Sequence, residues 1–147
     1  MIAFDSDIWT EISAGNPSCV VRAKAIPRDL QHVPIVVAEE SLRGWLDFIR
    51  KTEARKIKVP LSVAYESLEK AIQQLGLTKL LPYTPAAHDH YHYHYHYHYL
   101  RLKSQKLRIG TRDLRIASIA LAHGATLITR NRRDFDIVPS LQLEVWN

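Results

Sequence analysis

Carboxylate side chains occur at four separated places in this chain, each next to a predicted boundary between a strand and a helix. In chain order they are Asp5, Glu40, Asp113 and Asp134. The carboxyl ends of parallel strands meet at one edge of an α/β sheet, where ligands bind, so we expect these groups to share a cleft. Crowded carboxylates repel each other unless a divalent cation neutralises them. Oxygen ligands without His or Cys favour Mg²⁺ or Mn²⁺ over Zn²⁺.

Each group has a predicted role at such a site. The predicted metal ligands, direct or through water, are Asp5, Glu40, Asp113, Asn131 and Asp134, and the four acids among them are the predicted catalytic residues. Asp134 and Asn131 are alternatives for the fourth position, from which the side chain would also orient the attacking water. The hydroxyl groups of Ser6 and Thr111 are expected to fix a carboxylate or a bound water. A cation held in this way activates a bound water and clamps a phosphodiester for in-line attack.

Basic residues are concentrated in one part of the sequence. Positions 100–133 contain nine Lys or Arg and one acid, whereas the rest of the chain contains eleven bases and fourteen acids. This asymmetry predicts a polyanion partner, although a solvated basic surface would give the same pattern. The residues expected to hold the backbone of such a polyanion are Arg112, Arg115, Arg130, Arg132 and Arg133.

The elements that would position these groups alternate between strand and helix, which predicts an α/β fold. We expect a three-layer α/β/α sandwich around a central, mostly parallel sheet of four or five strands. The 147 residues are predicted to form one domain, long enough to bury its own core.

In the first part of the chain, a strand at 1–4 leads into a helix that Ser6 or Asp7 could cap. Asp5 and Asp7 could themselves be no more than caps. Asn16 starts a second short helix.

The run 32–37 is predicted to be the second strand, and Pro34 suggests an edge strand or a strand start. A long amphipathic helix then extends to about Ala54, with Glu40 in its first turn, where the helix dipole favours an acid. A further helix at about 60–75 and a short strand within 77–83 follow.

Towards the C-terminus, Thr111 is the predicted N-cap of a buried helix with Asp113 in its first turn. Gly124 provides the helix stop. An apolar run at 125–129 predicts a strand, and 129–136 is predicted to be a polar turn.

A dipeptide repeat interrupts this pattern: His88 starts a stretch in which five consecutive His-Tyr pairs occupy 90–99. We call 88–99 the His-Tyr tract, and its flanks predict a helix with His at i, i+4 spacing. Its imidazoles could bind Zn, Ni or Cu, or become charged below about pH 6.5 and strengthen polyanion binding. Its tyrosines could stack on bases. Alternatively, a coding repeat expanded in a tolerant surface helix and has only incidental metal affinity.

Four ordered motifs resemble one known family. They are Asp5-Ser6-Asp7, Glu40-Ser41-Leu42-Arg43-Gly44, the stretch 109–117, and the stretch 129–135 followed by 138–141 and Trp146. Together they are similar to PIN-domain ribonucleases, especially the VapC-type toxins of type II toxin–antitoxin pairs. The chain departs from that family at the fourth acidic position, where Asn131 and Asp134 compete. It also departs in the His-Tyr tract, which replaces an ordinary amphipathic helix.

The resemblance implies a Mg²⁺-dependent endoribonuclease that cleaves single-stranded or loop RNA and leaves a 5′-phosphate. It also implies a homodimer with two acidic clefts along a basic groove, and a small antitoxin that inserts a side chain into each cleft. Two alternatives stay open from the residues alone. A Mg²⁺-dependent phosphatase also uses Asp-x-Asp after its first strand, but its lysine partner is missing near Asp113 and Asp134. A catalytically inactive RNA- or antitoxin-binding module is the other.

Composition points to an intracellular setting. A single cysteine, Cys19, rules out a disulfide framework within the chain and fits a reducing cytoplasm. No stretch is apolar enough to predict a membrane span, and no secretion signal is expected at the N-terminus. We therefore expect a cytoplasmic protein with no membrane partner.

Overall fold

A five-stranded parallel sheet forms the centre of the described structure. The computed structural model describes the backbone of residues 1–105 and 109–147 and the side chains of 1–96 and 109–147. The strands are β1 (Ile2–Phe4), β2 (Gln31–Pro34), β3 (Lys79–Leu81), β4 (Thr126–Thr129) and β5 (Leu143–Val145). They lie in the order β3-β2-β1-β4-β5, and every neighbouring pair is parallel. The predicted fold class is confirmed.

Seven α-helices connect these strands within the described part of the chain. They are α1 (Ser6–Ser13), α2 (Pro17–Lys24), α3 (Ile35–Glu53), α4 (Leu61–Gly76), α5 (Pro85–Gln105), α6 (Thr111–His123) and α7 (Arg132–Phe135). A short 3-10 turn, Arg28–Leu30, precedes β2. Right-handed crossovers place the helices before and after β3 on opposite faces of the sheet. The helices α3 and α4 pack together, as do α5 and α6. None of the helices in this part is long and apolar enough to cross a membrane.

The core lies on both faces of the short strands. Phe4, Val33, Leu127 and Ile128 are almost completely buried, and α6 adds a run of buried small and branched residues between Ile116 and Ala120. Burial on both faces explains why β1 and the middle of β4 are continuously apolar instead of alternating. The ring of Trp146 packs edge-on against Phe4 at a centroid distance of 5.9 Å.

The second strand is shorter than predicted. It ends at Pro34, and α3 begins at Ile35, so the prediction of a strand over 32–37 was wrong at its end. The strand is also internal, between β1 and β3, and Pro34 is its last residue and not its start. Val36 and Val37 face the core from the first turns of the helix. As a result Glu40 lies in the second turn of α3, not in the first.

Two helix caps also differ from those predicted. Asp5, not Ser6 or Asp7, caps α1, with its carboxylate accepting a hydrogen bond from the Ser6 N–H at 2.7 Å. Gly110 occupies the cap position of α6, so Thr111 is the first helical residue. The predicted start of a second short helix at Asn16 is confirmed, and the Asn16 side chain caps α2.

The C-terminal region is more ordered than the predicted polar turn. Residues Arg132–Phe135 form the short helix α7, which lies between β4 and the edge strand β5. Gly124 ends α6 in the left-handed conformation with φ of 63°, as predicted for a helix stop.

The His-Tyr tract is helical, as predicted, within α5. His94 is buried, whereas His92, Tyr93, Tyr95 and His96 are exposed. The side chains of 97–99, the last part of the tract, lie outside the described residues.

Candidate active site

The site begins at the carboxyl end of the central strand. Asp5 follows β1 directly and is only 4% exposed. One carboxylate oxygen accepts the Ser6 N–H, and the other accepts the hydroxyl of Thr129, the last residue of β4, at 2.7 Å. Burial raises the pKa of Asp5, while these two hydrogen bonds lower it and the carboxylates of Asp7 and Glu40 raise it further. The Asp5 carboxylate is therefore held in place by two hydrogen bonds, but these bonds do not fully offset the cost of burying its negative charge.

Glu40 reaches the same place from α3. Its carboxylate accepts a hydrogen bond from the Ser6 hydroxyl, so Ser6 lies where it can fix this carboxylate. Its other oxygen lies 3.6 Å from the Arg112 guanidinium. Ser6 thus links the carboxylates of Asp5 and Glu40 through its backbone N–H and its hydroxyl.

The pKa of Asp113 indicates that other acidic side chains lie near it. Burial, followed by repulsion from Asp5, Glu40, Asp134 and Asp7, raises its pKa from 3.8 to about 6. Four carboxylates from three other elements can raise this pKa only if they are close to it. The structure therefore brings Asp5, Glu40, Asp113 and Asp134 to one edge of the sheet, as predicted. In the metal-free chain, burial and this concentration of negative charge therefore keep Asp113 partly protonated at about pH 6, well above the pH at which an ordinary Asp ionises.

The two candidates for the fourth position are hydrogen-bonded to each other. The Asn131 side-chain amide donates to the Asp134 carboxylate, and the Asn131 backbone N–H donates to the Thr129 hydroxyl at 2.9 Å. Of these two residues only Asp134, in α7, is charged, and its carboxylate contributes to the raised pKa of Asp113. Asn131 therefore orients Asp134.

The location has a topological cause. The chain leaves β1 towards β2 and β3 on one side and returns to β4 on the other, so the carboxyl ends of β1 and β4 form the switch point of the sheet. Ligand crevices of open α/β sheets lie at such points. Even so, among the described residues no three His, Cys, Asp or Glu side chains are grouped closely enough to hold a metal ion in their present positions.

The predicted arginines divide into two groups. Arg112 lies at the cleft beside Glu40, and Arg133 is exposed on α7. The other three are engaged elsewhere: Arg115 lies over the Tyr91 ring, Arg130 pairs with Glu11 at 3.1 Å, and Arg132 pairs with Asp136 at 2.9 Å. The structure therefore brings one of the five predicted RNA contacts directly to the carboxylates. Thr111 is exposed, and its hydroxyl makes no hydrogen bond to the residues that the structure describes, so its predicted role stays a prediction.

Two open cavities meet at Glu40 and Gly44. One, of about 570 Å³, is flanked by Arg43, Arg50 and Arg112. The other, of about 600 Å³, is a mostly apolar groove between α1, α3 and α4 that contains Trp9 and Trp45. A Cβ atom at Gly44 would meet no atom within 4 Å, so this position leaves the approach to Glu40 open.

Two functional positions were not among the predicted site residues. Thr129 holds Asp5 and the Asn131 backbone, and Asp7 adds to the charge at Asp113. The only sequence signal for Thr129 was a hydroxyl at the end of an apolar strand. Asp7 was visible only as the second acid of Asp-x-Asp.

Similarity to known proteins agrees with this geometry. No family model matches the chain. A stretch of 46 residues is 48% identical to the ribonuclease VapC2 of Rickettsia felis and covers 31% of this chain and 34% of that protein. A chain of the VapBC2 complex of Rickettsia felis, bound to a DNA fragment from its promoter, superposes over 100% of both chains with a TM-score of 0.75 and 23% identity. The predicted fold of VapC-type PIN domains is therefore confirmed.

Another VapBC structure supports the same fold. The DNA-bound VapBC of Salmonella typhimurium also matches over 100% of both chains, with a TM-score of 0.75 and 17% identity. At this low identity the fold of a VapC-type PIN domain is what the superposition shows. The sequence match to the ribonuclease spans about one third of that relative's length.

Proposed function

We propose that this chain is a Mg²⁺- or Mn²⁺-dependent endoribonuclease and the toxin of a toxin–antitoxin pair. The observation that carries the proposal is the gathering of Asp5, Glu40, Asp113 and Asp134 at the switch point. Hydrogen bonds through Ser6, Thr129 and Asn131 link Glu40, Asp5 and Asp134, and all three carboxylates contribute to the raised pKa of Asp113. The partial match to a ribonuclease VapC2 supports the RNA substrate. The single cysteine and the absence of a predicted membrane span fit action in the cytoplasm.

The donor set of the cleft fits a hard divalent cation. Its ligands are carboxylate oxygens whose charge the protein leaves partly uncompensated, as the raised pKa values of Asp5 and Asp113 show. Asp5, Glu40 and Asp113 would hold the ion directly or through water. Among the described residues, no three of these carboxylates lie close enough to bind one ion directly. Contacts through water would close the gap, and Mg²⁺ usually retains several of its waters. When bound, the ion activates a water and neutralises charge on the phosphodiester.

The chain's own groups perform the remaining tasks. Thr129 and the Ser6 N–H fix Asp5, and the Ser6 hydroxyl fixes Glu40. Asp134, oriented by the Asn131 amide, would orient the attacking water and accept its proton. Arg112 supplies a positive charge for the phosphate next to the cleft.

Cleavage of a structured RNA by the purified chain tests this proposal. With Mg²⁺ or Mn²⁺ present we expect cleavage that leaves a 5′-phosphate, and Asp113→Asn should reduce it by at least about a hundredfold because an essential charge is removed. The matched control is Asp29→Asn, an exposed Asp in the 3-10 turn before β2, at the opposite edge of the sheet. This control should retain wild-type activity.

Other outcomes would identify the alternatives. Phosphate release from small esters without RNA cleavage would favour the phosphatase. RNA binding without cleavage at any metal concentration would favour the inactive module. Equal activity of Asp113→Asn and wild type would show that the site is assigned wrongly.

We also propose a homodimer and a small antitoxin as partners. The likeness to chains of VapBC complexes supports an antitoxin partner. Co-expression with the product of a small neighbouring reading frame should relieve growth arrest and suppress RNA cleavage, and sedimentation should give twice the mass of one chain. A neighbouring gene whose product neither binds nor inhibits would contradict the antitoxin proposal.

A further inference from the structure

The first turns of the His-Tyr tract bring two imidazoles close together. His88 and His92 are both exposed and one helical turn apart on α5. Their ring centroids lie 4.4 Å apart, with the ring planes perpendicular. Metal–nitrogen bonds are about 2.0–2.1 Å long, so two imidazoles that share an ion have centroids roughly 4.5–5 Å apart. Small side-chain rotations would therefore allow His88 and His92 to bind one ion.

The other described imidazole pairs of the tract are less suitable. His90 and His94 are stacked with centroids 6.2 Å apart, and His94 is buried. His92 and His96 are likewise stacked, at 6.1 Å. At these separations the two rings of each pair are farther apart than imidazoles that share an ion. The His88/His92 pair is thus distinguished by geometry from two other pairs with the same i, i+4 spacing.

A third side chain orients His88. The Tyr83 hydroxyl, from the loop between β3 and α5, lies 3.0 Å from His88 Nδ1. A tyrosine hydroxyl can accept a hydrogen bond from an Nδ1–H. In the tautomer in which His88 donates this bond, its Nε2 lone pair is available to a metal. Metal-bound histidines generally have an oriented partner of this kind.

We propose that His88 and His92 form a site for one transition-metal ion of the Ni²⁺, Cu²⁺ or Zn²⁺ class, with Tyr83 as a positioning residue. The site is separate from the carboxylate cleft in residues and in chemistry, since imidazole nitrogen favours these ions and carboxylate oxygen favours Mg²⁺. It provides two protein ligands, in agreement with the finding that no larger group of potential ligands gathers among the described side chains. Water fills the remaining positions.

Titration of the whole chain with Ni²⁺ in excess Mg²⁺ tests the site, because Mg²⁺ saturates the oxygen cleft. We expect one tight ion per chain, and His92→Gln should weaken binding by at least about tenfold. The matched control is His90→Gln, which removes one imidazole from the same tract but leaves the proposed pair. It should change the affinity by less than about twofold. Equal losses in His90→Gln and His92→Gln would overturn the proposal in favour of diffuse binding by the whole tract.

A second measurement tests the role of Tyr83. Tyr83→Phe removes the hydroxyl but keeps the ring, and we expect about a tenfold loss of Ni²⁺ affinity, in line with other partners of metal-bound histidines. In NMR spectra, substoichiometric Ni²⁺ should broaden the ring-proton signals of His88 and His92 before that of His90. Simultaneous broadening of all three, or unchanged affinity in Tyr83→Phe, would contradict the proposed geometry.

Discussion

The acidic cleft and the His-Tyr tract are both unusual clusters of potential metal ligands, but they are assembled differently. The cleft collects Asp5, Glu40, Asp113 and Asp134 from four elements, and the Thr129–Asp5 hydrogen bond joins residues 124 positions apart. The tract places its ligands by helical spacing alone, within α5. In the cleft, Asp5 is buried and held by hydrogen bonds from Ser6 and Thr129. In the tract, His88 and His92 are exposed. The two regions should therefore respond very differently to mutation and to pH.

The largest difference should come from removing a supporting group. Thr129→Val deletes the buried hydroxyl that donates to Asp5 and accepts from the Asn131 backbone, while keeping a β-branched residue in β4. We expect RNA cleavage to fall by about 10–100-fold. We also expect the free energy of unfolding to fall by about 1–3 kcal/mol, since two polar partners lose a hydrogen bond. Cleavage assays and denaturant unfolding measure these effects.

The same strand provides the control for this change. Thr126 is at the start of β4, and its hydroxyl faces the Gln142 side chain at 3.2 Å in an exposed position. Thr126→Val should alter stability by less than about 0.5 kcal/mol and leave cleavage unchanged. Full activity in Thr129→Val would mean that Asp5 does not need its buried partner.

A smaller effect should appear in the pH dependence of stability. The pKa of Asp113 is about 6 in the folded chain and 3.8 as a reference, so the folded state binds a proton that the unfolded state has lost between these values. Its stabilising contribution is complete below about pH 4 and disappears as the pH rises through about 6. Allowing for partial exposure, the change is about 2 kcal/mol.

Comparison of metal-free wild type with Asp113→Asn isolates this contribution. The variant should be more stable than wild type at pH 7, and the advantage should shrink towards pH 4, as measured by denaturant unfolding. For His92→Gln, the difference in stability from wild type should not shrink in this way between pH 7 and pH 4. That result would strengthen the contrast between the cleft and the tract. An advantage for Asp113→Asn that grows on acidification would contradict the assigned pKa shift.

The smallest effect is expected when exposed histidines of the tract are changed. His92→Gln combined with His96→Gln should leave Mg²⁺-dependent RNA cleavage within about twofold of wild type and stability within about 0.5 kcal/mol, because neither side chain is buried. Gel-based cleavage kinetics would measure this. A tenfold rise in KM would show that the tract contacts RNA and would remove the functional distinction between the two regions.

The positions of the site acids could be predicted because each follows from local sequence. An apolar run followed by Asp5, and a helix start at Asp113, are sufficient to place both groups at one edge of a parallel sheet. The boundary between β2 and α3 could not be predicted in the same way. Val36 and Val37 favour a strand by propensity, but both are buried as the start of a helix, so tertiary packing overrides the local preference.

The contacts that hold the site acids in place were harder to predict from the sequence than the acids themselves. Thr129 is an ordinary strand residue until Asp5 is placed beside it, and the Arg112–Glu40 pair depends on how α3 and α6 approach each other. Three of the predicted RNA-binding arginines have partners on their own or neighbouring elements instead of lying at the carboxylates. Net charge shows that such residues are abundant, but not which way each one faces.

The central position of β1 has a consequence for synthesis on the ribosome. Ile2, Ala3 and Phe4 pair with Thr126, Leu127 and Ile128, so β1 cannot complete its pairing before β4 has been synthesised. Such long-range pairing is slow to form. A nascent polypeptide therefore lacks its buried Asp5–Thr129 contact until Thr129 has left the exit tunnel.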